Sequence, residues 1–550
     1  LNPPGFVVEV NPGTVPAGQI VGDFVVMGRA RLDDRARLCA ELALSKDAHE
    51  GDDVRLVGEA WNRWGIDACD RLLGDWVVVV TERRSGHVWV ARDACGNSAC
   101  YYWSDGRRLR VATSLPALCE DTTLPRQPNA AWIAQRLLGR FDTALVSHTA
   151  FLGMHQLPGG SVLLWRNGGV TTKRWWYPEH LPAFESRRQD EWIEEGRHLL
   201  EQAVVDRMRG ASSPIALLLS GGLDSGVVAA CAAPEARRAH TRLLGLTSIP
   251  EFPADGAGRS RIGNEAHLAQ ATAQFIGGID WQPSRATGAS VVRSIADKLA
   301  IHGQPGHAGG NAYWLLDLCR LARAEGATVL LTGHMGNATI SWAGRWEGML
   351  VSALKRVRAL ARGRPGAQGP DWWRATSAMG QPLARMAAIS ASASPIEEAD
   401  FRSLRFATDV QASWAELGAA FGLCVRDPTA DRRLVEFCWR LPNRLYLDGG
   451  RRRGLVRRGF RGRLPDAVID NRTKGLQAAD VGHRIRQDQQ ECHAALDAIA
   501  VHPLAGEWLD VARMRAVLAE VLHDVSPATT SRAQTILLRG LGVGQFLRTL

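Results

Sequence analysis

The chain has no uninterrupted apolar segment that approaches the ~20 residues needed to span a bilayer as a helix. Its first residues, Leu-Asn-Pro-Pro-Gly, lack the charged and apolar regions of a secretory signal. The expectation is a cytoplasmic protein with no membrane partner. Cysteine is thin for the length, ten residues in 550 and none in a C-x-x-C pair. That argues against a disulfide framework or a zinc site and for reduced core thiols. Acidic residues are the minority: 66 Lys and Arg against 57 Asp and Glu leave a net charge of +9, a balance that would suit a polyanionic partner. Much of the excess is local, with seven arginines between Arg451 and Arg463 and a second basic run from Lys355 to Gly369. Neither run carries the aromatic side chains that a stacking platform for single strands needs, so nucleic acid is not the expected partner.

A hydrophobic content of 45% and a charged content of 22% describe a soluble globular chain. Its length implies two to four domains at roughly 150 residues each. Residues 1–178 read as mostly β, with short apolar or alternating runs at Gly5–Val10, Asp75–Val80, His87–Ala91, Leu109–Thr113, Gly160–Trp165 and Arg174–Tyr177. Their spacing predicts stacked antiparallel sheets. Pro178–Asp190 reads as a linker. From residue 191 to 550 helices and strands alternate. Helices are expected over Trp192–Met208, Gly226–Ala233 and Glu265–Phe275, with strands at Ile215–Leu219, Leu243–Ser248 and Ala327–Thr332 and helical segments to the end. The fold class is therefore a two-domain α/β protein, β-rich first, then a doubly wound parallel sheet whose ligand site lies at the carboxyl ends of its strands.

The strongest chemical signal follows the strand at Ile215, where Leu219-Ser220-Gly221-Gly222-Leu223-Asp224-Ser225 breaks an apolar run into a glycine turn. Two glycines let backbone N–H groups approach an anion, and a helix beginning near Ser225 turns its positive end the same way. Ser220 and Ser225 add hydroxyl donors, and Asp224 is a candidate magnesium ligand. No Lys follows the glycines, so this is not the loop that grips β- and γ-phosphates for γ-phosphoryl transfer. Ser-Gly-Gly-x-Asp-Ser resembles instead the pyrophosphate loop of ATP pyrophosphatases, which cleave between the α and β phosphates and adenylate a carbonyl oxygen.

In the first half, Gly74-Asp75-Trp76, Ala91-Arg92-Asp93 with Gly96, Tyr101-Tyr102 and Leu157-Pro158-Gly159-Gly160 occur in an order that resembles the glutaminase domain of asparagine synthetase-like enzymes. That family uses an N-terminal Cys as nucleophile and its own α-amine as base. Here the chain starts with Leu1, and Pro4 stands where the family places the Cys. The resemblance therefore implies a glutaminase-like half that is inactive and retained as a scaffold.

The second half resembles the family's adenylating domain. Leu244-Gly245-Leu246-Thr247-Ser248 matches the strand whose edge backbone holds adenine, which assigns Thr247 and Ser248 to the nucleotide, and Asn264-Glu265-Ala266-His267 matches an acidic position near it. Thr332 and Gly333 match the loop after the next strand. Four residues later, Asn337 stands where relatives carry an Asp that binds magnesium. Arg426-Asp427-Pro428 and Asp431 to Phe437 precede Asn471-Arg472-Thr473-Lys474-Gly475. In the related β-lactam and carbapenam synthetases a Lys at that place contacts phosphate and stabilises the charge that develops as the amine attacks. The resemblance gives Lys474 the same role and implies ATP and Mg2+ as cofactors, with Asp224 and Asn337 as metal ligands.

An inactive glutaminase, a live adenylating domain and a substrate that must bring its own amine together resemble the lasso peptide macrolactam cyclases. That resemblance implies a precursor peptide as substrate, with a leader-peptide protease and a leader-recognition protein as further partners. Trp314, Trp342 and Trp346 are candidates for lining a wide peptide cleft. A β-lactam synthetase acting on a small molecule, and a nucleotide-binding scaffold without chemistry, stay open as alternatives.

Overall fold

The computed structural model describes residues 6–11, 16–45, 47–48, 50–139, 143–254, 261–306, 308–342, 372–387 and 410–550. Leu1, Pro4, Trp346 and the basic run from Lys355 to Gly369 lie outside the described residues.

Ten strands build the first half: β1 (Val7–Val10), β2 (Gln19–Val21), β3 (Phe24–Leu32), β4 (Gly74–Glu82), β5 (Val88–Arg92), β6 (Tyr101–Ser104), β7 (Leu109–Ala112), β8 (Met154–Gln156), β9 (Ser161–Arg166) and β10 (Gly169–Arg174). They form two antiparallel sheets, ordered β1-β7-β6-β8 and β10-β9-β5-β4-β3-β2. The alternation of strand side chains explains the near-continuous apolar run of β4. Val77 and Val79 face the gap between the sheets with Val8, Val10, Val90 and Val111. Trp76, Val78 and Val80 face the other way, under Leu56, Val57, Ala60 and Trp61 of the helix Asp53–Trp64. A second helical cover, Ala130–Leu138, packs Trp132, Ile133 and Leu137 against Tyr101 and Trp103. The stacked sheets are as expected, and the two helical covers are additional. Arg174–Tyr177 does not form a strand. β10 stops at Arg174, Trp175 stacks on Trp76 with ring centroids 6.1 Å apart, and Trp176 Nε1 donates to Glu436 Oε1 at 2.9 Å.

The second half holds β11 (Ile215–Leu218), β12 (Leu243–Ser248), β13 (Arg261–Ile262), β14 (Ile279–Ser284), β15 (Val329–Leu331), β16 (Cys424–Arg426), β17 (Leu447–Asp448), β18 (Arg451–Arg452) and β19 (Lys474–Gly475). Five of them make one parallel sheet, β14-β12-β11-β15-β16. The chain leaves β11, winds outward through β12 and β14, and returns to the other side through β15 and β16. The order therefore reverses between β11 and β15, which is where a doubly wound sheet opens its crevice. The helix after β11 runs Leu223–Arg238, starting before the expected Gly226, so Asp224 and Ser225 belong to its first turn. Among the described residues no helix is long and apolar enough to cross a membrane.

The helix Gln189–Met208 joins the halves, and Arg207 near its end is buried, 1% exposed. Its guanidinium donates to Asp33 Oδ2 at 3.1 Å, Asp431 Oδ2 at 2.8 Å and the Asp427 carbonyl at 3.0 Å, with Asp75 at 3.6 Å. Arg31 pairs with Asp33 and Asp75, and Arg433 with Asp206 and Asp431. Burial alone would raise the Asp431 and Asp75 carboxyls. The neighbouring guanidiniums, Arg207 and Arg433 for Asp431 and Arg31 and Arg207 for Asp75, overcome it and hold both below the ordinary carboxylate range.

Removing one partner of a buried ion network leaves the others desolvated and uncompensated, so Arg207→Met should cost about 3–5 kcal/mol of stability. It is read as a lowered denaturant midpoint, and an unchanged midpoint would show that the interface does not depend on this residue. Because the folded-state values of Asp431 and Asp75 are depressed, their contribution is present above about pH 4, the ordinary Asp range, and lost as pH falls through the folded values. Melting temperature should therefore drop between about pH 4 and about pH 2 more steeply in the wild type than in the variant.

Candidate active site

β11 ends at Leu218, and the loop that follows is tied by its own hydroxyls. Ser220 Oγ lies 2.9 Å from Ser225 Oγ and accepts from the Gly222 N–H at 3.1 Å, while Ser225 Oγ accepts from the Ser220 N–H at 3.0 Å. The two serines thus shape the turn. The N–H groups of Leu223, Asp224 and Ser225, at the start of the helix, have no acceptor within it, an arrangement that suits an anion. Gly221 is required by packing: a Cβ there would stand 2.9 Å from the Cβ atoms of both Glu265 and Leu268. Leu219 and Thr247 sit behind the loop. Thr247 Oγ1 donates to the Leu219 carbonyl at 2.6 Å and accepts from Trp281 Nε1 at 2.8 Å, so its hydroxyl is committed. β12 is not an edge, because β14 pairs with it through Ser248 and β11 covers its other side. β11 pairs with β12 only as far as Leu246, so at Thr247 and Ser248, the residues expected to contact adenine, the backbone is paired on the β14 side alone.

Across the crevice, the segment after β15 presses against the start of the helix. A Cβ on Gly333 would lie 2.8 Å from the Asp224 carbonyl oxygen, and one on Gly336 only 2.5 Å from Asp224 Oδ1. The Asp224 carboxylate is thus cradled by a glycine on the far side of the switch point. An acid there, beside a phosphate loop, fits a magnesium ligand. Asn337 does not fit in the same way. Its Oδ1, the oxygen expected to reach the metal, accepts from Arg453 Nη2 at 3.2 Å and so faces a cation.

Lys474 is exposed on β19, which pairs in parallel with β13 so that Lys474 stands opposite Arg261 and Gly475 opposite Ile262. Asn471 Oδ1 fixes the turn before it through the Thr473 N–H at 2.8 Å. Asp480 fixes the segment after it, accepting from Tyr313 Oη at 2.7 Å, Arg484 Nε at 3.0 Å and the Glu251 N–H at 2.8 Å. Gly475 brings this segment to the phosphate loop through Glu265, since a Cβ on Gly475 would be 2.1 Å from Glu265 Oε2. Glu265 therefore lies between Gly221 and Gly475. Burial raises its carboxyl above the ordinary range, and Arg453 partly opposes the shift.

Sequence reasoning gave no role to two residues at this crevice. His334 Nδ1 lies 3.0 Å from Thr332 Oγ1 and 3.1 Å from Asp427 Oδ2, and its ring stacks on Trp414 at 5.1 Å. Asp427 also accepts from the Met335 N–H at 2.9 Å, fastening the segments after β15 and β16 together. A His three residues past a strand end was visible in the sequence, but its acidic partner lies 93 positions away. Of the two described tryptophans expected to line a cleft, Trp342 is buried edge-on against Tyr446 and Trp314 is partly buried against two core clusters.

In the first half the recognised motif residues serve the fold. Arg92 is fully buried and donates to the carbonyls of Ser98, Leu157 and Gly96. Asp93 accepts from the N–H groups of Asn97 and Ser98 at 2.9 and 3.1 Å, and burial beside Asp75 pushes its carboxyl up to about 6. Burial likewise pushes the thiols of Cys69 and Cys100 up to about 12 and that of Cys119 to about 11.

The Asparagine synthase family profile matches residues 195–541, more than half of the chain, and the Glutamine amidotransferase domain profile matches residues 35–176. A putative asparagine synthetase 2 of Methanocaldococcus jannaschii is 24% identical over 33% of this chain and 35% of its own length. Asparagine synthetase 3 of Bacillus subtilis is 20% identical over 84% of this chain and 77% of its own. Carboxyethyl-arginine beta-lactam-synthase of Streptomyces clavuligerus is 30% identical, covering 37% of each. Against two of these curated relatives the matched part spans little more than a third of the relative's length.

Gly336→Ala should displace the Asp224 carboxylate and lower pyrophosphate exchange into ATP by on the order of 10²-fold, the size expected when one preorganised electrostatic contact is lost. Asp224→Ala should show a similar deficit in folded protein. Exchange at the wild-type rate in the Gly336 variant would remove the cradle from the account of this site.

Proposed function

Starting from the premise that the chain belongs to the asparagine synthase family, whose members are ATP-dependent ligases that form amide bonds, we propose that this protein is a macrolactam cyclase. It would adenylate an Asp or Glu side chain of a precursor peptide and let that peptide's own N-terminal amine displace AMP. What supports the reading is how the glutaminase-like half employs its polar residues and thiols. The glutaminase-like motif residues Arg92 and Asp93 are consumed in holding loops, and the thiols of Cys69, Cys95, Cys100 and Cys119 are pushed up by burial, away from the thiolate form a nucleophile needs.

In the first step a carboxylate oxygen attacks the α-phosphorus of ATP and pyrophosphate leaves. In the second the amine nitrogen attacks the acyl carbon, gives up a proton and expels AMP, so the peptide loses one water overall. The loop Ser220–Ser225 would hold phosphate through backbone N–H groups and the helix start. Magnesium, when bound, shields phosphate charge, and Asp224 is the residue that would hold it. Lys474 would stabilise the charge of the second step, and the cleft must keep water from the acyl-adenylate because hydrolysis competes. A precursor peptide implies a leader-peptide protease and a leader-recognition protein as partners in a cytoplasmic setting. A small-molecule version of the same ring closure is the second reading, supported by the likeness to the Streptomyces clavuligerus beta-lactam-synthase.

Peptides with a free N-terminus and an internal Asp or Glu, incubated with ATP and magnesium, should lose one water by mass spectrometry, without glutamine. Lys474→Met should keep part of the pyrophosphate exchange yet lose ring closure by on the order of 10²-fold or more. A Lys474 variant that cyclises at the wild-type rate would reduce it to a surface lysine. ATP binding with no exchange under any peptide would leave only a nucleotide-binding scaffold.

A further inference from the structure

Arg539 is a guanidinium withdrawn from water with no acid beside it. It follows the π-helical turn Ala533–Leu538 and opens the helix Arg539–Leu547; such turns occur frequently at functional sites. Burial pushes its pKa below the ordinary guanidinium value, and no carboxylate opposes the shift. Its hydrogen-bond acceptor is the Leu137 carbonyl, at 3.4 Å. The buried Arg207 and Arg484 have carboxylates to meet them, and the buried Arg92 has three carbonyls. Desolvating a charge without such partners is costly, so the surroundings of Arg539 favour an incoming anion. The guanidinium lies against Gly139, where a Cβ would stand 2.6 Å from Cζ. Gly139 closes the helix Ala130–Leu138 in the left-handed conformation, φ +63°, so one glycine both ends that helix and leaves room for the charge. Arg136 and Lys298 line the same pocket, and no acidic side chain does so among the described residues. Arg136 rests over the Trp132 ring at 4.3 Å, and Gly306 leaves room for the Lys298 stem, a Cβ there standing 3.2 Å from Lys298 Cε. The rest of the wall is apolar or glycine, with Ile295, Leu538 and Val543 its larger members. The space is about 30 Å³, room for one or two water-sized groups.

We propose that this pocket recognises the C-terminal carboxylate of a peptide. Three positive side chains call for an anion, and the planar two-oxygen head of a carboxylate matches a guanidinium fork. The size admits a head group and excludes a nucleotide or a sugar phosphate, so the anion is the end of a chain whose body stays outside. A doubly charged phosphate would need more hydrogen-bond donors than a wall of aliphatic side chains and glycines presents. The loop that lines the pocket also reaches the crevice. Gly309 borders the pocket, and Asn311, two residues on, donates from Nδ2 to Gln477 Oε1 at 2.9 Å, three residues after Lys474. Tail recognition and the Lys474 segment are thereby linked through one short loop. The inference takes its peptide from the cyclase reading, while the observations behind it lie outside the crevice.

The test measures binding rather than turnover. Pentapeptides ending in leucine, labelled with fluorescein at the N-terminus, are made as the free acid and as the C-terminal amide and titrated with full-length protein by fluorescence anisotropy. The free acid should bind about 10- to 100-fold more tightly, the range for hydrogen bonds between charged groups. Arg539→Gln should weaken the acid to the affinity of the amide, and it strands no carboxylate partner in doing so. Gly542→Leu keeps the charge and fills the space, its Cβ meeting Ile295 Cγ2 at an ordinary 3.5 Å, and should erase the difference as well. Equal affinity for acid and amide on the wild-type protein, or binding of neither, would overturn the proposal even if the variants fail to fold. Discrimination at the wild-type level in either folded variant would overturn it too. Cyclisation of a peptide by protein that binds acid and amide alike would remove this inference and leave the cyclase reading standing. Acid-selective binding without cyclisation of any peptide would do the reverse.

Discussion

The buried guanidinium of Arg207 is the constraint on which the site depends. Desolvating a charge costs several kcal/mol unless partners surround it, and here the partners come from three separate parts of the chain: Asp33 and Asp75, the Asp427 carbonyl, and Asp431. The network leads directly to the crevice. Asp427 receives the Met335 N–H and the His334 ring, and Gly336, one residue on, receives the Asp224 carboxylate. The first half is thereby joined to the crevice through a short series of contacts. The glutaminase-like half is required whatever its own chemistry, because without Asp33 and Asp75 the guanidinium that steadies the segment after β16 would be buried and underbalanced.

Glycines define the other half of the geometry, and they do so by what they leave out. Gly221, Gly336 and Gly475 each lie where a Cβ would overlap Glu265 or Asp224. Each carboxylate is therefore held against backbone from a distant segment: Asp224 against the chain after β15, and Glu265 between the phosphate loop and β19. Gly475 and Gly221, two residues 254 positions apart, thus come to pack on the same Glu265 side chain.

How much of this was legible in the sequence follows from how local each signal is. The phosphate loop was, because its glycines, serines and flanking strand and helix are consecutive. The strands β11, β12 and β15 were, because a strand covered on both faces must be apolar throughout. β16 was missed at three residues, and so was β14, whose Ile279-Asp280-Trp281-Gln282-Pro283-Ser284 is polar at an edge position. The helix Asp53–Trp64 was overlooked although Leu56, Val57, Ala60 and Trp61 carry a helical period. The role of Asn337 could not be read at all, since it depends on a guanidinium 116 residues away. The arginine run shows in the sequence only as local positive charge, because composition does not reveal that Asp470, Glu201 and backbone carbonyls come to meet it.

Charge at the crevice has a direction. Glu265 lies within reach of the Arg453 charge, and burial nonetheless raises it toward its neutral form. That burial follows from its place between Gly221 and Gly475, where a Cβ on either glycine would overlap it, so the packing that joins the loop after β11 to β19 is also what makes Glu265 costly as a carboxylate.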